Sequence, residues 1–437
     1  MAGSFAPMAT YNAGGFSPNR WLRPKALRLL VWLFHQVDRW PGVGRVITSF
    51  LRLRPVWRVG QTVLVTGDRQ VVDVLTRDDD FPLPEKCAEK FLTGAFVLGM
   101  SRTPQFERER TELKEVVRRA DRPRIVDLVD DLSRSEIVKA RSIGHLDVVT
   151  GLCTPVGQGL LQEYFGIRLA GDVQLLNDLR LLGAMVASPH SEFAEFRDLA
   201  GAAAVRVFER INVEIDSVEA KLAGLTSLTE PATVLERLVF RWRKGTSGFD
   251  REDVRRNITG VLLPGSALVA RAFATALVQV VHRKALREAA DAAVAGGDKD
   301  GLEGCILEAL RFHPVFPVLP RCATRDTTLP GFKRQYTIRA GRSVYASVAL
   351  AMFDYRAKLF EGPGGGNPAD ARIRNRHLYR HFGDGAHECL GQHIALPQMA
   401  AMLFHLLQLP ELKVGRIRYH RDDGISPSSL KVTFAVR

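Results

Sequence analysis

The sequence predicts a mainly α protein with a minor β part, on three observations. Long apolar stretches keep helical spacing, strand signals are short and few, and 46% of the 437 residues are hydrophobic, ample for a large core. Charged residues make up 25%, and neither proline nor glycine is in excess, which excludes a disordered or fibrous chain.

In chain order, residues 1–24 are mostly small and polar at the start and read as a flexible extension. Leu27–Phe34 is apolar but interrupted by Arg28. It is far short of a bilayer span and reads as an amphipathic surface helix. Trp57–Gly60 and Thr62–Val65 form a predicted hairpin. Glu252–Arg283 reads as one long central helix, which Pro264 should kink by removing an N–H donor. Leu302–Phe312 is a second helix, with Pro314 as its stop signal. Gln335–Val344 reads as a strand and Gly362–Asn367, GPGGGN, as a surface loop. Gln392–Leu407 is a buried helix containing Pro397, and Leu430–Val436 is a closing strand. With no repeat and no linker, residues 1–437 are expected to form a single domain.

Net charge is +13, yet the basic residues are spread along the chain with no module for nucleic acid. One concentration stands out: Arg372, Arg374, Arg376, His377, Arg380 and His381. It reads either as a solvated loop or as a docking patch for an acidic protein. The five cysteines, Cys87, Cys153, Cys305, Cys322 and Cys389, are odd in number and contain no CxxC pair. That pattern argues against a disulfide scaffold and for a reducing, cytoplasmic setting.

The most specific segment is HFGDGAHECLG, His381–Gly391. Phe382, Gly385, His387, Cys389 and Gly391 fit Phe-x-x-Gly-x-(Arg/His)-x-Cys-x-Gly. Glycines permit a tight turn that aims backbone N–H groups at the sulfur. Cys389 then stands at the start of a helix whose dipole favours an anion. The residues alone leave two rivals: a structural cysteine in a glycine-rich loop, and a zinc site from His381, His387, Cys389 and His393, which lacks the usual paired spacing.

At this segment the chain resembles the cytochrome P-450 family, whose haem-ligand signature it matches. The resemblance extends from about Thr62 to the end and implies that family's triangular, mainly helical fold. It implies haem b, iron protoporphyrin IX, with Cys389 as axial ligand, Phe382 shielding the sulfur and His387 at a propionate. Glu308 and Arg311, spaced to pair on one helix face, match the family's structural Glu-x-x-Arg. Arg321, in Pro320-Arg321-x-Ala323, and Arg110, in Pro104-x-Phe106-Glu-Arg-Glu-Arg110, match propionate-binding arginines. Phe106 replaces the usual histidine of the latter motif. The patch around Arg372–Arg380 would receive an acidic ferredoxin or flavodoxin.

One departure matters. The long helix resembles the family's oxygen-binding helix on both flanks, but Ala267 and Leu268 stand where an acid and a threonine normally relay protons. Neither side chain can do so, and Ser266 lies about 200° around the helix from Leu268. The expectation is a haem-thiolate oxidoreductase with a non-standard proton supply. The alternatives are a peroxide-using or non-oxidative haem-thiolate enzyme, and a non-catalytic haem-binding paralogue. Leu262, Leu263, Ser266, Leu268, Phe316 and Val318 are the candidate substrate pocket, mostly apolar as ligand sites usually are.

Overall fold

The computed structural model describes residues 50–51, 54–84, 97, 99–168, 171–187, 194–223, 231–311, 313–331, 335–352, 379–420 and 426–436. The extension, Leu27–Phe34, Cys87, the GPGGGN segment, and Arg372, Arg374 and Arg376 lie outside these residues.

Two strands open the described chain, β1 (Val56–Val59) and β2 (Thr62–Val65), followed by α1 (Asp68–Thr76). Helices then dominate: α2 (Pro104–Val116), α3 (Arg122–Arg141), the short strand β3 (His145–Asp147), α4 (Thr154–Leu160), α5 (Val173–Ala187), α6 (Ala194–Ala223) and α7 (Val234–Arg243). The central helix α8 (Arg251–His282) leads to α9 (Lys284–Ala295) and α10 (Lys299–Arg311). Then come β4 (Leu319–Cys322), β5 (Thr327–Leu329), β6 (Tyr336–Ile338), β7 (Ser343–Ala346) and α11 (Val348–Met352). The last helix is α12 (Gln392–Leu407), followed by β8 (Lys413–Val414), β9 (Arg418–Tyr419), β10 (Pro427–Ser429) and β11 (Lys431–Thr433). The 335–344 run thus divides into β6 and β7, because the chain turns at Gly341 with φ +77.

The four-stranded sheet has the order β1-β2-β7-β4. β2 and β7 run parallel with Thr62 opposite Ser343, and β4 runs antiparallel to β7 with Arg321 opposite Val344. Its apolar side packs with α1 and α11 in a core of its own, containing Val63, Val71, Val344 and Met352. The larger core is helical. There α12 packs on α3 and α10, and α8 packs on α5, α10 and α6.

Asp250 caps α8 by accepting from the Asp253 N–H, while the Asp253 side chain accepts from the Asp250 N–H. The helix runs unbroken through Pro264. It is long and apolar enough to cross a bilayer, but 56% of its apolar window is buried inside the protein, so it serves as a core helix. Where α5 crosses it, a Cβ on Gly183 would lie 2.4 Å from the Leu263 carbonyl oxygen. Only a glycine admits that approach.

Asp130 of α3 joins the helical layers. It accepts hydrogen bonds from Arg134 (2.7 Å) and His405 of α12 (2.8 Å), and pairs with Lys299 of α10 at 2.7 Å. Burial alone would raise its pKa, but these three donors take it down to about 2. Burial lowers the pKa of His405, so near neutral pH its ring is uncharged and donates Nε2–H. Because the folded pKa of Asp130 lies below its unfolded value of about 4, its contribution is complete above that value and fades as pH falls towards 2. Asp130→Asn is expected to cost about 1–2 kcal/mol at pH 6, after allowance for screening. Urea midpoints should show the gap to wild type narrowing from pH 5 to pH 3. A constant gap would show that the carboxylate charge is irrelevant.

Candidate functional site

The chain from Tyr379 to Gly391 forms a tight loop that ends at α12. The Cys389 N–H donates to the Phe382 carbonyl at 2.8 Å, and the Glu388 N–H donates to the Gly385 carbonyl at 3.2 Å. Gly385 has φ +75, and a Cβ there would lie 2.7 Å from the Leu75 carbonyl oxygen, at the end of α1. A left-handed backbone and a close neighbour both demand glycine at this point. Gly391, at φ −91, precedes the first residue of α12, and its carbonyl accepts from the Ala395 N–H at 2.9 Å.

Cys389 is exposed by accessible area, yet protein surrounds it closely enough for burial to push its thiol pKa up. Its side chain is thus accessible while protein atoms crowd around it. Backbone N–H groups of Gly391 and Gln392 and the charge of Arg110 oppose the rise. These are the groups that stabilise a thiolate. Phe382 is partly buried and packs against the helical core.

Arg110 is buried on α2 and donates Nη2–H to the Glu388 carbonyl. Its neighbour Glu109, fully buried, accepts from Asn257 Nδ2 at 3.0 Å and pairs with Arg256, both on α8. This tie sets α2 against α8 and so positions Arg110. Phe106, also on α2, lies against His387, with ring centroids 4.8 Å apart. Packing there takes the place of a polar contact from the usual histidine. Arg321 is buried on β4 and donates Nη1–H to the Pro320 carbonyl at 2.9 Å, while its Nε–H meets no acceptor. Burial lowers its pKa to about 10 despite the charge of Asp78 nearby.

Glu308 and Arg311 form a buried two-point pair, Nε–Oε2 2.9 Å and Nη2–Oε1 2.7 Å. Tyr379 Oη–H donates to Glu308 Oε2 at 2.7 Å, and Arg311 Nη1–H to the Met352 carbonyl at 3.3 Å. The pair therefore fixes the start of the cysteine loop and the end of α11.

Three expectations need correction. Arg380 belongs to no docking surface: it is buried and pairs with Asp68 (2.9 Å) and Asp384 (2.6 Å), tying α1 to the loop. The zinc alternative fails because His381 Nε2–H donates to the Leu307 carbonyl at 2.9 Å, away from Cys389. Burial pulls its pKa to about 4, and no metal-ligand cluster occurs among the described residues. Leu262 and Leu263 line no open pocket, each being 1% exposed within the helical core. At about 100° per residue, Leu263 points roughly 160° away from Gly265, which is exposed with open space where a Cβ would stand. Leu268, Phe316 and Val318 are half-buried, and Ala267 is buried. Ser266 lies within α8 between Gly265 and Ala267.

Sequence reading missed Asp78 and Glu109. Asp78 lies in an Asp-Asp-Asp run that resembles a solvated turn, and only the fold shows its carboxyl to be buried.

These residues fit a haem. The thiol is accessible, a Cβ at Gly391 or Gly265 would enter open space, and two buried arginines each keep an Nε–H without an acceptor. Residues 203–419 match the family described as Cytochrome P450. The chain is 28% identical to the cytochrome P450 monooxygenase janQ of Penicillium janthinellum over 36% of each chain. It is 36% identical to cytochrome P450-SU2 of Streptomyces griseolus over 26% of each. The matches thus span about a quarter to a third of these curated relatives. Among solved structures, ligand-free CYP164A2 of Mycobacterium smegmatis superposes with TM-score 0.73 at 19% identity, over 93% of this chain and 99% of that one. CYP109E1 of Bacillus megaterium, solved with testosterone, gives 0.67 at 16% over 96% and 100%. The chain belongs to the cytochrome P450 family.

Proposed function

We propose that the chain is a single haem-thiolate monooxygenase unit that oxidises a mostly apolar small molecule. In this reading it uses dioxygen, and electrons from an acidic ferredoxin or flavodoxin. The observation that carries it is Cys389 at the start of α12, with two N–H groups and Arg110 placed to hold negative charge on sulfur. Haem b, held by Cys389 with Arg110, Arg321 and His387 at its carboxylates, supplies a redox-active iron when bound. The chain's own part is to ligate the iron, exclude bulk water and orient the substrate. Gly265, Leu268, Phe316 and Val318 offer a largely apolar surface for that.

Proton supply is where this chain differs. Buried Ala267 and half-buried Leu268 carry no exchangeable proton. Protons then come from ordered water or from the substrate's own polar groups. The same observation favours a second reading, a peroxide-using or rearranging catalyst that needs no relay.

Turnover of the double variant Ala267→Asp, Leu268→Thr separates the two. General acid–base assistance is typically worth about 10²–10⁴-fold. Dioxygen-driven coupled turnover is expected to rise at least ten-fold on that scale, while peroxide-driven turnover stays flat or falls. Haem content is checked first, because both new side chains are polar in an apolar setting. Tight coupling in the wild type, unchanged in the variant, would end the argument for an altered proton supply.

A further inference from the structure

We propose that Asp78 is a haem-anchoring residue that meets a cofactor carboxylate as a neutral carboxyl, donating its proton to it. This rests on the haem reading above.

The side chain of Asp78 is 1% exposed, and neither carboxyl oxygen accepts a hydrogen bond. It follows α1 directly and faces His387, whose Nε2 lies 3.5 Å from Oδ1, too long for a hydrogen bond. Arg321, on β4, is the strongest cationic influence on it and Arg102 the next, while Asp79 and Glu107 oppose them. Arg321 is itself buried with its Nε–H unmet. A buried acid and a buried base therefore stand close enough to feel each other's charge without bonding. Buried polar groups seldom stay unsatisfied, so a third group belonging between them accounts for both.

Charge decides what that group sees. Two propionates set against Arg110 and Arg321 already balance. An ionised Asp78 would add a third buried anion, which is costly because Arg102 is exposed and paired with Glu107, and His387 at 3.5 Å is too far to bond to it. A protonated Asp78 removes that anion and gains a donor hydrogen, so that Arg321 and Asp78 both donate to one carboxylate. Burial raises the Asp78 pKa, in the direction this requires.

The test uses the full chain, stripped and then reconstituted with iron protoporphyrin IX or with its dimethyl ester, in which the carboxylates are blocked. The readout is the rate of haem transfer to apomyoglobin. Asp78→Ala should lose the natural cofactor about ten-fold faster, as expected when a buried charged acceptor loses a donor. Asp78→Asn, which keeps an N–H donor, should stay near wild type. With the dimethyl ester all three chains should release at one rate. Equal loss of both cofactors from Asp78→Ala, or no change with either, would overturn the proposal. Should Asp78→Ala fail to fold, infrared difference spectra of holo wild type against Asp78→Asn decide: loss of a protonated-carboxyl C=O band supports the proposal, and no such band refutes it. A wild-type chain that takes up no haem sinks the haem reading itself, and is recognised before any variant is compared.

Discussion

Cys389→Ser is expected to abolish the strongly red-shifted Soret band of the reduced carbonyl complex. That band reports a thiolate on iron. A serine hydroxyl is nearly the same size and accepts the same Gly391 and Gln392 N–H groups, but it does not ionise readily enough to replace sulfur. Helicity should survive, because Cys389 is accessible and is not part of the packed core. The checks are a carbonyl difference spectrum, haem content and far-ultraviolet circular dichroism on the same sample. A serine variant that folds, binds haem and keeps the band would remove Cys389 from the iron.

Glu308→Ala should nearly eliminate soluble haem protein. Breaking a buried ion pair at one partner costs about 3–5 kcal/mol, because the remaining charge is left unpaired. Arg311 is 2% exposed, so water cannot solvate it in compensation. Tyr379 loses its acceptor at the same time. Set against a typical total of about 5–15 kcal/mol, that is a large share. Glu308→Gln keeps an acceptor oxygen and should be milder. Wild-type yield and urea midpoint for Glu308→Ala would mean the pair carries no structural weight.

Local periodicity made the fold readable where elements are long. Glu252–Arg283 and Gln392–Leu407 carry apolar residues on nearly every side, and the structure places α8 and α12 within one residue of those bounds. The turn of the cysteine loop is readable because its glycines stand at fixed spacing, and the left-handed backbone at Gly385 admits little else. What stayed hidden depends on contacts distant in sequence. Asp78 and Arg380 look like solvent-facing charges, yet both are buried: Arg380 pairs with Asp68, hundreds of residues away, and Asp78 feels the charge of the equally distant Arg321. Leu262 and Leu263 look like pocket residues because they are apolar, but the side of a helix that meets its neighbour is set by the neighbour, here Gly183 of α5. A run of four charged residues around Glu109 likewise gives no hint that one of them grips Asn257.

The pairing of β2 with β7 has a kinetic consequence. Thr62 lies opposite Ser343, so this sheet draws together the two ends of most of the chain. Closing so long a loop costs chain entropy before any contact repays it, and such pairings form slowly. β4 meets β7 over a far shorter span, with Arg321 opposite Val344, so the strand that carries Arg321 can be in place before β2 arrives. Docking of the β1–β2 hairpin is then the step that completes the sheet.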